Sequence, residues 1–302
     1  MSRYVESYKR SNLAGPGDSR PTAMQITEDE NLINKLHDKT FLVTGISGGI
    51  GIETMRVLQA TRVHICGTVR SLEKGKKVVD EILAKNPNGG KLDLIEMNLE
   101  SFGSIQKGTE EFLNKSSGRL SVLINNAGIM AVPKGLTKDG FELHFGTSHL
   151  SHFLLFQLLR PALLSYATPE YPPRVVSVSS GLGHQDYEKW AAYDQSKTAN
   201  IWLANTIERK YGNMNLHATV VHPGGIVTNF NKDVLVYFKS SNQGAATQIY
   251  AAVSEEWKRK SGKYLSDVWS NPRRWVCAMA YDEDSEERLW KESFEMVGLK
   301  QK

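Results

Sequence analysis

From Thr40 onward the chain switches repeatedly between two hydrophobic periods. Short runs rich in β-branched residues recur at 41–45 (FLVTG), 63–69 (VHICGTV), 92–99 (LDLIEMNL), 122–128 (VLINNAG), 174–180 (RVVSVSS), 217–223 (HATVVHP) and 262–267 (GKYLSD). They are continuously apolar rather than alternating, as strands buried on both faces require. Between them, 50–60, 72–84, 102–115, 141–166, 193–211 and 244–260 space their apolar residues as helices do, and a last such stretch covers 285–297. Strands alternating with helices of this length imply βαβ crossovers. The expected fold is α/β: a Rossmann-type doubly wound parallel sheet in one domain over 39–302. Residues 1–38, with a turn at Gly15-Pro16-Gly17 and a short amphipathic stretch at 26–36, are expected to form an N-terminal arm laid on that domain.

Composition narrows the function classes. Of 302 residues, 40% are apolar and 23% charged, which excludes an intrinsically disordered chain. The net charge of +4, from 37 Lys+Arg against 33 Asp+Glu, is too balanced to call for a nucleic-acid partner. Cys66 and Cys277 are too few for a disulfide framework and lack metal-ligand spacing, which points to a reducing, cytoplasmic location. The most apolar stretch, 150–164, is interrupted by Gln157, Arg160 and Pro161 and is too short to span a bilayer. The first residues show no apolar core of a secretory signal. His149 and His152 stand three apart on one helix with no third ligand at sensible spacing, so no metal site is expected.

The candidate chemistry begins where the first strand runs into Thr44-Gly45-Ile46-Ser47-Gly48-Gly49-Ile50-Gly51 and opens a helix. In such a turn Gly45 permits the tight reversal, Gly49 lets backbone N–H groups approach a pyrophosphate, and Gly51 allows close helix–strand packing. The helix N-terminus favours the anion. At the end of the second strand Val69 stands where a discriminating Asp would bind the ribose of NAD, and Arg70 follows; a guanidinium suits the 2′-phosphate of NADP(H). Tyr193 and Lys197 lie four apart on a predicted helix and project from one face. A nearby ammonium lowers a phenol's pKa toward useful acid–base range. Ser180 ends a strand thirteen residues before Tyr193. Met130, Trp190 and Phe230 fall where an apolar substrate cleft would be lined, with ordinary core packing as the alternative for each.

TGxxxGIG at 44–51, NNAG at 125–128, Ser180, YxxxK at 193–197 and PG at 223–224 resemble, in order and spacing, the motifs of the short-chain dehydrogenase/reductase family. Stretches such as FGTSHLSHFLL and YDQSKTAN look like its retinol-dehydrogenase-like branch, particularly fungal members. The resemblance implies an oxidoreductase that interconverts a ketone or aldehyde and its alcohol on an apolar small molecule of secondary metabolism. It implies that Tyr193 is the general acid/base, that Ser180 hydrogen-bonds the substrate carbonyl, that Lys197 also binds the nicotinamide ribose, and that Asn125 supports the sheet. Thr44, Gly45, Ser47, Gly49, Ile50, Gly51, Asn98, Leu99, Ala127, Gly128, Pro223 and Gly224 are implied on the cofactor, with Ile226 to Thr228 at the carboxamide. Two positions depart from the family: Asn98 replaces a commoner Asp, and Ser148 replaces the Asn that completes the catalytic tetrad. Such proteins form a homodimer or homotetramer through the helices carrying FGTSHLSHFLLFQLL and YDQSKTANIWLANTI, whose apolar outer positions permit it. Short loops after Ser180 and Thr228 imply an open cleft, completed by 269–281 or a partner subunit. Two alternatives stay open: a non-redox lyase, isomerase or cyclase on the same fold, and a nucleotide-binding regulator.

Overall fold

The computed structural model describes residues 3–180, 189–226, 237–258, 262–266, 268–270 and 281–301. Its strands are β1 (Thr40–Thr44), β2 (His64–Val69), β3 (Leu92–Glu96), β4 (Val122–Asn125), β5 (Arg174–Val178), β6 (His217–His222), β7 (Tyr264–Ser266) and β8 (Trp269–Ser270). They form one sheet in the order β3-β2-β1-β4-β5-β6-β7-β8. All pairs are parallel except β7 with β8. The order reverses between β1 and β4, which leaves a crevice beyond their carboxyl ends.

The pleat explains the double covering. Along β1, Phe41 and Val43 enter one apolar cluster with Ile65, Ile124 and Tyr250, while Leu42 enters the other with Leu123, Phe153 and Val175. β3 departs from the continuously apolar expectation: it is the edge strand, and only Ile95 of its five residues is buried.

The helices are α1 (Ala23–Asp29), α2 (Gly49–Ala60), α3 (Leu72–Lys85), α4 (Phe102–Ser116), α5 (Leu143–Phe145), α6 (Ser151–Ser165), α7 (Lys189–Tyr211), α8 (Ser241–Val253) and α9 (Glu283–Met296). Side-chain caps start several of them. Thr22, Ser71, Ser101 and Asp282 each accept an N–H bond from the first turn of α1, α3, α4 and α9. Two expectations shift. The arm's helix is α1, earlier than 26–36, because Thr22 caps it there and Ala23 and Ile26 bury against the core. The stretch expected as one helix over 141–166 contains a π-turn, Gly146–Leu150, between α5 and α6.

The last helix, α9, packs against α6 and α7. Trp290 and Phe294 of α9 pack edge-on against Phe153 at 5.1 Å each, and Trp290 also meets Phe156. Buried Glu286 accepts a hydrogen bond from Asn205 at 2.7 Å and pairs with Arg209. Among the described residues no helix is long and apolar enough to cross a membrane.

Candidate active site

A cavity of about 390 Å³ opens beyond the ends of β1, β2 and β4. Its floor is the glycine-rich turn. Gly45 has φ +72°, and a Cβ there would lie 2.8 Å from that of Ala127; a Cβ on Gly51 would lie 2.3 Å from the Gly45 carbonyl oxygen. Only glycine allows this packing of turn, α2 and β4 loop. Gly49 has φ +55° with open space where a side chain would be. Gly48 precedes α2 without a side-chain cap, which leaves the helix's first N–H groups for an anion. Ser47, Ile50, Ala127 and Gly128 line the same cavity, and Arg70, Asn98 and Leu99 border its β2 and β3 end.

The turn is braced from beneath. Thr44 Oγ1 accepts N–H bonds from Asn126 at 3.0 Å and Ala127 at 2.9 Å, and Asn126 Nδ2 donates to the Thr44 carbonyl at 2.8 Å. Fully buried Gln248 donates to Asn126 Oδ1 from α8. Asn125 is buried in β4, its Nδ2 donating to Ser177 Oγ at 3.5 Å. Asn126, not singled out in the sequence, is therefore the residue that ties the NNAG stretch to the phosphate loop. Its pairing with Thr44 depends on the β1–β4 register, which spacing does not show.

The candidate catalytic residues converge from β5, α7 and the π-turn. The Tyr193 side chain is hydrogen-bonded to that of Ser180, whose carbonyl accepts from Tyr264 at 3.2 Å. Lys197 Nζ lies 5.5 Å from the Tyr193 ring centroid and donates to the Val178 carbonyl at 3.3 Å. Ser179 Oγ donates to the Lys197 carbonyl at 2.8 Å and so fixes α7 on β5. A Cβ on Gly128 would stand 3.0 Å from Lys197 Nζ and 3.7 Å from Ser148 Oγ, so this glycine keeps the space between them open to the cavity. Ser148 is fully buried in the π-turn, and its hydroxyl has no hydrogen-bond partner among the described residues. His144, also buried, packs edge-on to the Tyr193 ring and is held by Glu142 at 2.8 Å.

Electrostatics revise one expectation. Burial pushes the Tyr193 phenol up from 10; the Ser180 hydrogen bond only partly opposes this, and the neighbouring Asp194 carboxylate adds to it. Burial also lowers Lys197 to about 8. Proximity to an ammonium is outweighed here by desolvation of the phenolate.

Pro223 and Gly224 follow β6, and Ile226 converges with Ile50 on Gly244, which joins this turn to the phosphate loop. They adjoin the cavity without lining it. Thr228, Phe230, Cys277 and the greater part of the loops after Ser180 and Thr228 lie outside the described residues. Met130 is half-exposed beside the cavity-lining Ile129, and Trp190 is partly buried in α7. Arg70 pairs with Glu100 at 3.0 Å.

The paired histidines have separate structural partners. His149 Nε2 lies 3.0 Å from Ser293 Oγ of α9, and His152 bridges Ser148 and Thr44. A cluster that spacing did not reveal, His64, Cys66 and Asp93, gathers near the opposite strand ends through the β2–β3 register. Its carboxylate is occupied by His64 and Lys91, both at 2.7 Å, and burial pushes the Cys66 thiol up to about 12. It reads as an ion pair over a protonated thiol.

Residues 39–235 match the family model for short chain dehydrogenases. The chain belongs to the short-chain dehydrogenase/reductase family. It is 42% identical to a short-chain dehydrogenase/reductase of Penicillium roqueforti, with 98% of this chain and 95% of that protein covered. It is 34% identical to a retinol dehydrogenase of Mus musculus over 86% of this chain and 87% of that one. Among solved structures, an uncharacterized protein of Mycobacterium paratuberculosis is similar with a TM-score of 0.69 and 28% identity, over 87% of this chain and 94% of its own. These relatives place the chain in the retinol-dehydrogenase-like part of an oxidoreductase family acting on CH–OH groups, built on the Rossmann-type sheet.

Proposed function

We propose that this member is an NADP(H)-dependent reductase, reversible as an alcohol dehydrogenase, for an aldehyde or ketone on an apolar small molecule. The observation that carries the reading is the convergence of Ser180, Tyr193 and Lys197 at the open side of a glycine-floored cavity. The cradle fits a dinucleotide: uncapped amides at α2 suit its pyrophosphate, and Arg70 at the end of β2 suits a 2′-phosphate. When bound, the cofactor supplies the hydride.

The chain's own residues do the rest. Ser180 orients the substrate carbonyl by hydrogen bonding, and Tyr193 donates its proton to the oxygen as negative charge develops there. The raised pKa of Tyr193 keeps that proton in place at neutral pH. Lys197, cationic below about 8, stabilises the tyrosinate left behind and holds the ribose. Ser148 and a water beside it would return a proton from solvent. Two neighbours support the cofactor assignment by analogy of fold: a Pseudomonas aeruginosa protein and a metagenomic short-chain oxidoreductase were solved with NADP.

The test is loss of NADPH absorbance with a panel of apolar carbonyls, using Tyr193→Phe as the control. That variant should fold and bind NADPH normally while turnover falls by roughly 10² to 10⁴. Near-normal turnover would sink the mechanism. Equal use of NADH would remove the cofactor assignment.

A further inference from the structure

The N-terminal arm does more than cover the core. Arg20, 3% exposed, forms an ion pair with Asp18 at 2.8 Å and donates to the carbonyls of Tyr237 at 3.1 Å and Phe238 at 2.5 Å. Fully buried Gln243, in the first turn of α8, answers from the other side. Its Oε1 accepts from Gly17 N–H at 2.9 Å, and its Nε2 donates to the carbonyls of Asp18 and Arg20 at 3.1 Å each. These bonds hold 237–239 between the arm and α8.

That short segment is in turn fastened to the Pro223–Ile226 turn. Lys239 N–H donates to the Gly225 carbonyl at 2.8 Å, and Ile226 and Lys239 form a parallel bridge. The buried Lys239 ammonium donates to the Pro223 carbonyl at 2.9 Å and lies 5.0 Å from the Tyr8 ring centroid, so the arm touches this residue as well. Gly224, at φ +87°, has no room for a Cβ because the Lys239 side chain lies 2.8 Å from that position. The turn is therefore moulded on a lysine that the arm helps to bury.

We propose that the arm is a positioning element of the dinucleotide cleft. Through Asp18 and Arg20, and their bonds to Gln243 of α8, it fixes Tyr237–Lys239, and through Lys239 it fixes the Pro223–Ile226 turn, against which the nicotinamide end of the cofactor would lie. The proposal rests on the NADP(H) reading above. It makes Arg20 and Lys239 positioning residues, and their effect is confined to one end of the cofactor.

The test uses the full chain with Arg20→Gln and, separately, Lys239→Met, which keeps the buried stem and removes the ammonium. Two readouts are compared with wild type: amide hydrogen exchange over 219–226, and affinity for NADPH against 2′,5′-ADP, which carries only the adenine half. Each variant removes charge-assisted bonds, so exchange over 219–226 should quicken roughly tenfold while that of 40–45 stays unchanged. NADPH affinity should fall by about tenfold with 2′,5′-ADP binding unaltered. Unchanged exchange over 219–226 overturns the clamp. Equal losses for both ligands reduce Arg20 and Lys239 to general structural supports and overturn it too. A wild-type protein that binds neither NADPH nor NADH removes the functional reading and the positioning role with it, whatever the exchange shows.

Discussion

The imidazole of His152 lies 2.9 Å from the backbone carbonyl of Ser148. Its other ring nitrogen stands 3.0 Å from Thr44 Oγ1. That hydroxyl accepts N–H bonds from Asn126 and Ala127 and has His152 Nε2 and, at 3.5 Å, the Ile124 carbonyl as acceptors for its proton; the Ser148 carbonyl can only accept, which fixes the tautomer. The imidazole then carries its own proton on Nδ1 and donates it to Ser148. Burial lowers the His152 pKa to about 4, which keeps this neutral tautomer in place near neutrality. The glycine-rich loop and the π-turn are thus joined by one oriented chain that ends at Ser148.

With the Ser148 carbonyl engaged by His152, the Ser148 hydroxyl is left as the group that can hold a water near Lys197. Ser148→Ala should therefore lower reductase turnover by about tenfold, a fraction of the effect of losing the acid itself, with NADPH affinity and folding unchanged. Ser148→Asn should hold or raise turnover, since Gly128 leaves space beside it. Steady-state kinetics on both variants, with thermal melts as the folding control, decide the point. A severalfold fall in Ser148→Asn alone would show a site adapted to other chemistry, and the lyase or cyclase alternative would move ahead.

The two directions of the reaction should differ in pH dependence. Carbonyl reduction needs a protonated phenol, and burial holds the Tyr193 proton above its ordinary pKa of 10. Reduction should stay level through neutrality and decline above about pH 8, where Lys197 loses its charge. Alcohol oxidation needs the phenol ionised and should rise with pH from 6 to 8. Profiles of kcat/KM in both directions report these free-enzyme groups. Oxidation that is fastest at pH 6 would contradict the assignment.

The order of strands and helices was legible because both periods are strong, and the glycine turn was legible because its roles are backbone roles. Gly45 and Gly51 make the close approaches that their spacing implied. What spacing could not show is what the register brings together. Asn126 and Thr44 are 82 residues apart, and Gln248 reaches Asn126 across 122. The Tyr193 pKa was misjudged for a related reason: the pair's spacing displayed the ammonium and hid the burial. Nothing in the sequence of α6 and α7 reports that α9 packs on them, for the same reason.

Cofactor choice should turn on the Arg70–Glu100 pair. Arg70 is largely exposed and shares its guanidinium with a carboxylate at 3.0 Å. A 2′-phosphate must compete with Glu100 for it and is repelled by that carboxylate. Arg70→Ala should weaken NADPH binding by roughly tenfold to a hundredfold and leave NADH nearly unaffected, the range expected for a lost charge-assisted contact. Glu100→Gln should do the opposite and tighten NADPH. Parallel titrations with both nucleotides test this, and an Arg70→Ala protein that loses NADH equally would place the residue outside the discrimination.

The C-terminal helix predicts the association state. Trp290 is 3% exposed, wedged among Phe153, Phe156 and Phe294, and buried Glu286 is held by Asn205 and Arg209. A partner subunit approaching α6 and α7 by their apolar faces would have to displace this packing. The wild-type chain should therefore sediment as a monomer at micromolar concentration. Trp290→Ala removes a large buried ring and should cost about 3–5 kcal/mol in denaturant unfolding. It should also uncover Phe153 and Phe156 and drive concentration-dependent self-association, visible by light scattering. A wild-type dimer that persists unchanged in Trp290→Ala would show that the subunits meet elsewhere and that α9 does not stand in for one.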